Sequence, residues 1–187
     1  MPGPVSINDV INACLKGMSN ASKFYDKLSG GLQLHEAPEW LLQAKIARAL
    51  GKECHYVTVE SSVEWILESA EAERRGGRVR NKLGRIDIVV WSAADAPRFL
   101  NEVKKGWDSH CVNDDATRLR SLVNRGGSIH RGLLAVYATA AKKKTLDSRF
   151  DEIAENSSSK LLKKLNALPI DPGNKKSWLW SAAVFES

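Results

Sequence analysis

The sequence predicts a mixed α/β fold, with a central sheet of four or more strands flanked by helices. Apolar residues recur every three or four positions in some segments, as in amphipathic helices, whereas other segments are β-branched and alternate or run apolar, as in strands. No internal repeat or low-complexity linker separates these segments. With 187 residues and 43% hydrophobic content, the chain is expected to form a single domain with its own core.

The first predicted element is a helix within an N-terminal extension, residues 1–35. Its apolar residues recur at helical spacing, and Ser6 with Asp9 forms a helix-start signal. We expect this helix to pack outside the core of the fold. The segments SNAS and SGG bracket a second, short helical turn around Tyr25.

A second helix and the first core strand follow. An apolar stripe predicts a helix near 37–50, and Gly51 is expected to end it. The alternating, β-branched segment HYVTVE (55–60) predicts a strand. Glu60, its last residue, is either a further metal ligand or a cap for the helix expected in SVEWILESAEAERR.

The segments RIDIVVW (85–91) and RFLNEVKK (98–105), joined by the turn-like SAADAP, predict a β-hairpin. If the hairpin is centred on that loop, Asp87 lies directly across from Glu102. Opposed partners share one face of a sheet, and Lys104, two residues after Glu102, shares the same face. Two carboxylates that face each other repel, so this arrangement is favoured if a divalent cation lies between them.

Metal-dependent hydrolysis is the chemistry that this cluster predicts. Carboxylate oxygens suit Mg²⁺ or Mn²⁺ better than Zn²⁺. A lysine beside such an ion can orient a water or stabilise charge that develops on a phosphate, which indicates phosphodiester hydrolysis. The alternative is a solvated strand face, on which acidic and basic residues are common. The apolar neighbours Ile86 and Ile88 favour the functional interpretation of Asp87, since a carboxylate in a buried strand needs a partner.

The pattern of an aspartate, a hairpin's length, and then Glu-x-Lys resembles the PD-(D/E)XK nuclease superfamily, over roughly residues 36–140. The resemblance implies a restriction-endonuclease-like mixed central β-sheet flanked by helices, here with an added N-terminal helix. The core would span about 36–140, preceded by the helical extension 1–35 and followed by a C-terminal helix and strand, 141–187.

The same resemblance implies roles for individual residues. Asp87 and Glu102 would bind the metal, the carbonyl of Val103 would complete the coordination, and Lys104 would assist the attacking water. A further carboxylate is expected from a helix before the first core strand. Glu39 is preferred for this role and Glu36 is the competitor; either residue could instead favour the helix start through the helix dipole.

A formal net charge of +6 favours a polyanionic partner. Basic residues crowd the segment 74–85, which contains no acid, and Arg118 belongs to a helix expected near 114–124 that Asp114 or Asp115 would cap. We assign nucleic-acid binding to five residues: Arg78, Arg80, Lys82, Arg85 and Arg118. The alternatives are a solvated basic loop and, for Arg118, pairing with a core carboxylate.

The remaining elements follow from the C-terminal third of the sequence. GLLAVYATA (132–140) is almost wholly apolar and predicts a central strand. The apolar residues from Leu146 to Leu168, among them Phe150 and Ile153, predict two helices, or one helix interrupted around NSSS. WLWSAAVF predicts a terminal strand.

The sequence also narrows the cellular setting and the partners. Three scattered cysteines, no zinc-type spacing, no signal peptide and no apolar span predict a cytoplasmic protein with no membrane contact. By analogy with the superfamily, DNA is expected as substrate in preference to RNA, and cleavage of both strands would favour a homodimer. The alternative is a catalytically silent module of the same fold that binds nucleic acid or protein.

Overall fold

The computed structural model describes residues 5–54, 56–72, 84–92, 96–106, 109–171 and 178–187. In these ranges the chain forms a seven-stranded mixed β-sheet flanked by helices, which confirms the predicted α/β class.

Five α-helices lie in the described ranges: α1 (Ile7–Ser29), α2 (Glu39–Glu53), α3 (Val63–Ser69), α4 (Ser109–Val123) and α5 (Lys143–Asn156). The strands of the sheet are β1 (Tyr56–Ser62), β2 (Arg85–Trp91), β3 (Pro97–Lys105), β4 (Arg131–Ala140), β5 (Lys160–Lys164), β6 (Leu168–Pro169) and β7 (Leu179–Glu186). This confirms five predicted strands, with shifts of one or two residues at several ends: HYVTVE, the two strands of the hairpin, GLLAVYATA and WLWSAAVF.

The strand order across the sheet is β1-β2-β3-β4-β7-β5, and β6 also pairs with β7. β3 and β4 run parallel, whereas the other pairs are antiparallel. Strands β4 and β7 are buried over nearly their whole length, as expected where helices cover both faces of a sheet. The C-terminal strand β7 thus lies inside the sheet, between β4 and β5.

Each face of the sheet carries its own apolar core. Helices α1 and α2 cover one face, and α3, α4 and α5 supply the apolar residues that cover the other. The N-terminal helix belongs to the first core, because Cys14 and Met18 are fully buried there. The prediction that this helix packs outside the core was wrong.

Two other expectations about helices were also wrong. Helix α1 continues through SNAS, whose Ala21 is buried, and ends only where Gly30 adopts a left-handed φ of 74°. The second C-terminal helix is instead strand β5, which pairs with β7 from Lys160 to Lys164. Pairing with an available strand of the sheet outweighed the local helical pattern of the leucines.

Candidate active site

The hairpin of β2 and β3 has the predicted register. Ile88 pairs with Asn101, and the same register places Asp87 across from Glu102 at the next step. There the backbone amide of Val103 donates a hydrogen bond to Oδ2 of Asp87, at 2.8 Å. The Asp87 side chain therefore lies at the point where the two strands stop pairing.

The carboxyl groups of Asp87 and Glu102 lie within hydrogen-bonding reach of each other. Glu102 is only 1% exposed. Burial, and then the neighbouring charge of Asp87, raises the pKa of Glu102 to about 9, although the Arg118 guanidinium opposes this shift. Burial also raises the pKa of Asp87, against the opposing effects of the Val103 amide, Glu102 and Lys104. Near neutral pH the pair therefore retains a proton unless a positive charge joins it.

Lys104 points to the same cluster and is held by an acid from α4. Its Nζ lies 2.8 Å from Oδ2 of Asp115. Burial lowers the pKa of Lys104, but the hydrogen bond and charge of Asp115, with Glu39 and Asp87 behind them, outweigh burial and raise it above its usual value. Lys104 is therefore a stable ammonium group, able to donate hydrogen bonds and unable to accept a proton.

Helix α4 supplies two residues to the cluster, three positions apart on one helix face. Nη2 of Arg118 lies 2.5 Å from Oε1 of Glu102 and 3.2 Å from Oδ1 of Asp115. Arg118, to which we assigned phosphate binding, thus pairs with a core carboxylate, which was the alternative. Helix α4 begins at Ser109, so Asp115 lies well inside it and does not cap its first turn.

Of the two glutamates considered in the helix before the first core strand, Glu39 is the one that reaches the cluster. It is the first residue of α2, and its Oε2 accepts a hydrogen bond from the backbone amide of Lys105 at 3.1 Å. Its charge also acts on Asp87 and Lys104. Glu36 lies in a short 3₁₀ helix, where its carboxylate is 4.0 Å from Nε2 of His35.

Gln43 fixes the backbone behind Asp87. It lies one turn after Glu39 on α2, and its Nε2 donates to the carbonyl of Asp87 at 2.8 Å and to Oε1 of Glu60 at 2.9 Å. Glu60 adopts a left-handed φ of 53° inside β1, a conformation that costs of order 1–3 kcal/mol for a side chain of this kind. The cap of α3 is Ser62, so the expectation that Glu60 caps this helix was wrong.

Sequence reasoning missed Gln43 and the role of Asp115. For Asp115 a signal existed, because an acid and an arginine three residues apart lie on the same helical face. For Gln43 the signal was its i,i+4 spacing from Glu39, which places both side chains on one side of α2.

The predicted nucleic-acid residues are only partly within the described ranges. Arg78, Arg80 and Lys82 lie outside them. Arg85 is exposed at the start of β2. Gly84, just before it, passes so close to α4 that a Cβ there would stand 3.1 Å from Nη1 of Arg118. Gly84 therefore lies beside Arg118, at the edge of the cluster.

Within the described ranges, no group of three or more Asp, Glu, His or Cys residues is arranged to hold a metal ion. Asp87 and Glu102 form a pair, and Glu39 is engaged with the backbone of Lys105.

Within the described ranges, no helix is both long and apolar enough to cross a membrane. Comparisons with protein-family models, with curated proteins and with solved structures found no match for this chain.

Proposed function

We propose that the protein is a Mg²⁺- or Mn²⁺-dependent nuclease that hydrolyses phosphodiester bonds, in DNA by preference over RNA. The observation that supports this function is the meeting of the Asp87 and Glu102 carboxyl groups at the end of the β2–β3 pairing. Lys104 follows Glu102 on the same strand. In this proposal the fold is the restriction-endonuclease-like arrangement that the sequence pattern resembles.

The donor set fits a hard divalent cation. Mg²⁺ is commonly held by one or two carboxylates, and waters and substrate phosphates complete its coordination. Asp87 and Glu102 provide such a pair, with the Val103 carbonyl as the third proposed oxygen. The two buried carboxylates repel each other, and a bound cation would offset this repulsion. Glu39 stands near enough to act on Asp87 electrostatically and is the proposed fourth ligand.

A divalent cation at this pair supplies Lewis-acid polarisation of the scissile phosphate. Lys104, held by Asp115, keeps its proton and therefore orients the attacking water by hydrogen bonding and lends positive charge to the phosphate. Arg118 bonds Glu102 from α4 and is 30% exposed, so it can turn from the carboxylate towards a phosphate oxygen. Gln43 holds the backbone carbonyl of Asp87, which keeps the carboxylate in position.

A catalytically silent nucleic-acid-binding module is the second candidate. It is favoured by the bond of Arg118 to Oε1 of Glu102, because this cation already compensates one carboxylate of the pair. In that case Arg118 and Lys104 serve a buried ionic network and no divalent ion is needed. Metal-dependent turnover separates the two candidates.

The test is a plasmid-nicking assay with Mg²⁺ or Mn²⁺, combined with calorimetric titration of Mn²⁺. We expect the wild type to nick DNA only with added metal, and Asp87→Asn or Glu102→Gln to lose both cleavage and the calorimetric signal. The matched control is Glu152→Gln, the same chemical change on an exposed position of α5. Normal cleavage by the Asp87 and Glu102 variants, or metal-independent DNA binding without any cleavage by the wild type, would exclude the nuclease.

A further inference from the structure

A cationic groove lies between α1 and α2, away from the candidate active site. It encloses a cavity of about 260 Å³, and its lining consists of Lys16, Asn20, Lys45, Arg48, Ala49 and Lys52. Four of these six residues are cations contributed by two helices, and none is acidic.

The charges of this groove are not neutralised within the part of the chain that the structure describes. There, none of the four cations forms an ion pair with a carboxylate. Lys45 lies over the ring of Phe24, 3.3 Å from its centroid, which orients the ammonium group without cancelling its charge. Lys45, Arg48 and Lys52 are three and four positions apart on α2, a spacing at which like charges disfavour a helix by a few tenths of a kcal/mol per pair.

The helix packing creates this concentration of charge. Gly17 of α1 touches the backbone of α2, where a Cβ on Gly17 would lie 2.5 Å from the Cα of Ile46. Lys16 is next to Gly17 in the chain and Lys45 is next to Ile46, so this close approach brings both lysines to the same groove. Lys16 of α1 thus faces the row of three cations that α2 contributes to the groove.

We propose that the groove between α1 and α2 is a second nucleic-acid contact, which binds consecutive phosphates of one strand. From Lys45 to Lys52 the helix rises about 10 Å, which is longer than a single phosphate ion. The row can therefore reach more than one phosphate of a nucleic-acid strand, which carries one charge on every nucleotide. Arg48 provides a planar fork for one of them, and the Asn20 amide adds a neutral donor.

The groove is distinct from the candidate active site. Arg48 lies nine positions after Glu39 on α2, which is about two and a half turns and places the two residues on opposite sides of the helix. The same phosphate cannot contact both residues. The inference takes its class of ligand from the proposed nuclease function, but the binding that it describes does not require cleavage.

The experiment measures fluorescence anisotropy of a labelled DNA duplex against salt concentration, with a chelator present so that no cleavage occurs. The groove variant is Arg48→Gln with Lys52→Gln. The matched control, Lys142→Gln with Lys144→Gln, removes the same charge from exposed residues at the start of α5, whose apolar residues pack on the other face of the sheet. Because each neutralised phosphate contributes about 0.9 to the slope of log K against log salt, we expect the groove variant to lose about two units of slope.

The control variant and Glu152→Gln, on an exposed position of α5, should keep the wild-type slope. An unchanged slope in the groove variant, or equal losses in the groove and control variants, overturns the proposal. So does equally strong binding of a mononucleotide or of a polyglutamate peptide, because the ligand would then be a small anion or an acidic protein. Thermal melts of each variant establish that it is folded.

Failure of the groove and failure of the nuclease give different results. If the wild type cleaves DNA with Mg²⁺ and the groove variant keeps the wild-type salt slope, the nuclease function is supported and the groove is not a nucleic-acid contact. If the wild type never cleaves but the groove variant loses slope, the reverse holds.

Discussion

Replacement of Glu102 by Gln should stabilise the metal-free protein near neutral pH. Glu102 is 1% exposed, and burial beside Asp87 raises its pKa from 4.5 to about 9. A glutamate whose folded pKa is raised keeps its proton in the folded state while the unfolded chain releases it. Stability is therefore lost progressively as the pH rises from the unfolded value of 4.5 towards about 9. Gln mimics the protonated acid and can still accept the Arg118 hydrogen bond, so it escapes this loss.

The size of the effect follows from the pKa difference. Near pH 7 the solution is about 2.5 units above the unfolded pKa of 4.5 and still below the folded value. At about 1.4 kcal/mol per unit, the protonation of Glu102 costs about 3 kcal/mol of stability at that pH. Near pH 4.5 the cost almost disappears, so the advantage of Glu102→Gln should shrink to well under about 1 kcal/mol there.

Urea unfolding of the wild type and Glu102→Gln, with a chelator, at about pH 4.5 and pH 7 measures this difference. Glu152→Gln, on an exposed position of α5, should show no comparable pH-dependent advantage. If the difference in unfolding free energy between Glu102→Gln and the wild type is the same at both pH values, the buried acid does not titrate as the geometry requires. Saturating Mg²⁺ should stabilise the wild type and leave Glu102→Gln nearly unchanged, since RT ln(1 + [L]/Kd) applies only to a protein that binds the ion.

Two further outcomes are expected. Gly17→Ala places a Cβ 2.5 Å from the Cα of Ile46 and should lower the unfolding free energy by about 1–3 kcal/mol. Gly51→Ala has open space at its Cβ and should raise the unfolding free energy by up to about 1 kcal/mol through helix propensity. Equal denaturation midpoints for the two variants would contradict the tight contact between α1 and α2. Arg118→Met should destabilise the metal-free protein, because the buried carboxyl group of Glu102 loses its hydrogen-bond donor. The same change should tighten Mn²⁺ binding in calorimetry, because it removes a competing cation. Weaker Mn²⁺ binding would indicate that Arg118 supports the ion instead.

Local sequence patterns were sufficient for the strands that carry the candidate site. The strand-forming runs 85–91 and 98–105 and the turn-like loop between them predicted the hairpin, and centring it on that loop gave its register. Since β2 is buried on both faces, its apolar pattern does not set the register; the position of the loop placed Asp87 across from Glu102. The same reasoning identified β4 as a central strand.

The glutamate of α2 was only half determined by sequence. In the sequence, Glu36 and Glu39 both lie near the start of the predicted helix, and both suit its positive end. The start of α2 at Glu39, after Pro38, decided between them, because it directs Glu39 to the amide of Lys105 at the end of β3. That contact depends on how α2 packs against the sheet, which no local pattern encodes.

The sequence by itself determined the α/β class, the hairpin register and the positions of the acid pair and Lys104 along it, because strand-forming runs and the length of the turn between them involve only neighbouring residues. Only the tertiary structure brought Asp115 and Arg118 of α4 to Lys104 and Glu102. The tertiary structure also placed β7 between β4 and β5, and it brought Lys16 and Lys45 to one basic groove. These contacts join elements whose order in space is set by burial of the two apolar cores, a property of the whole chain.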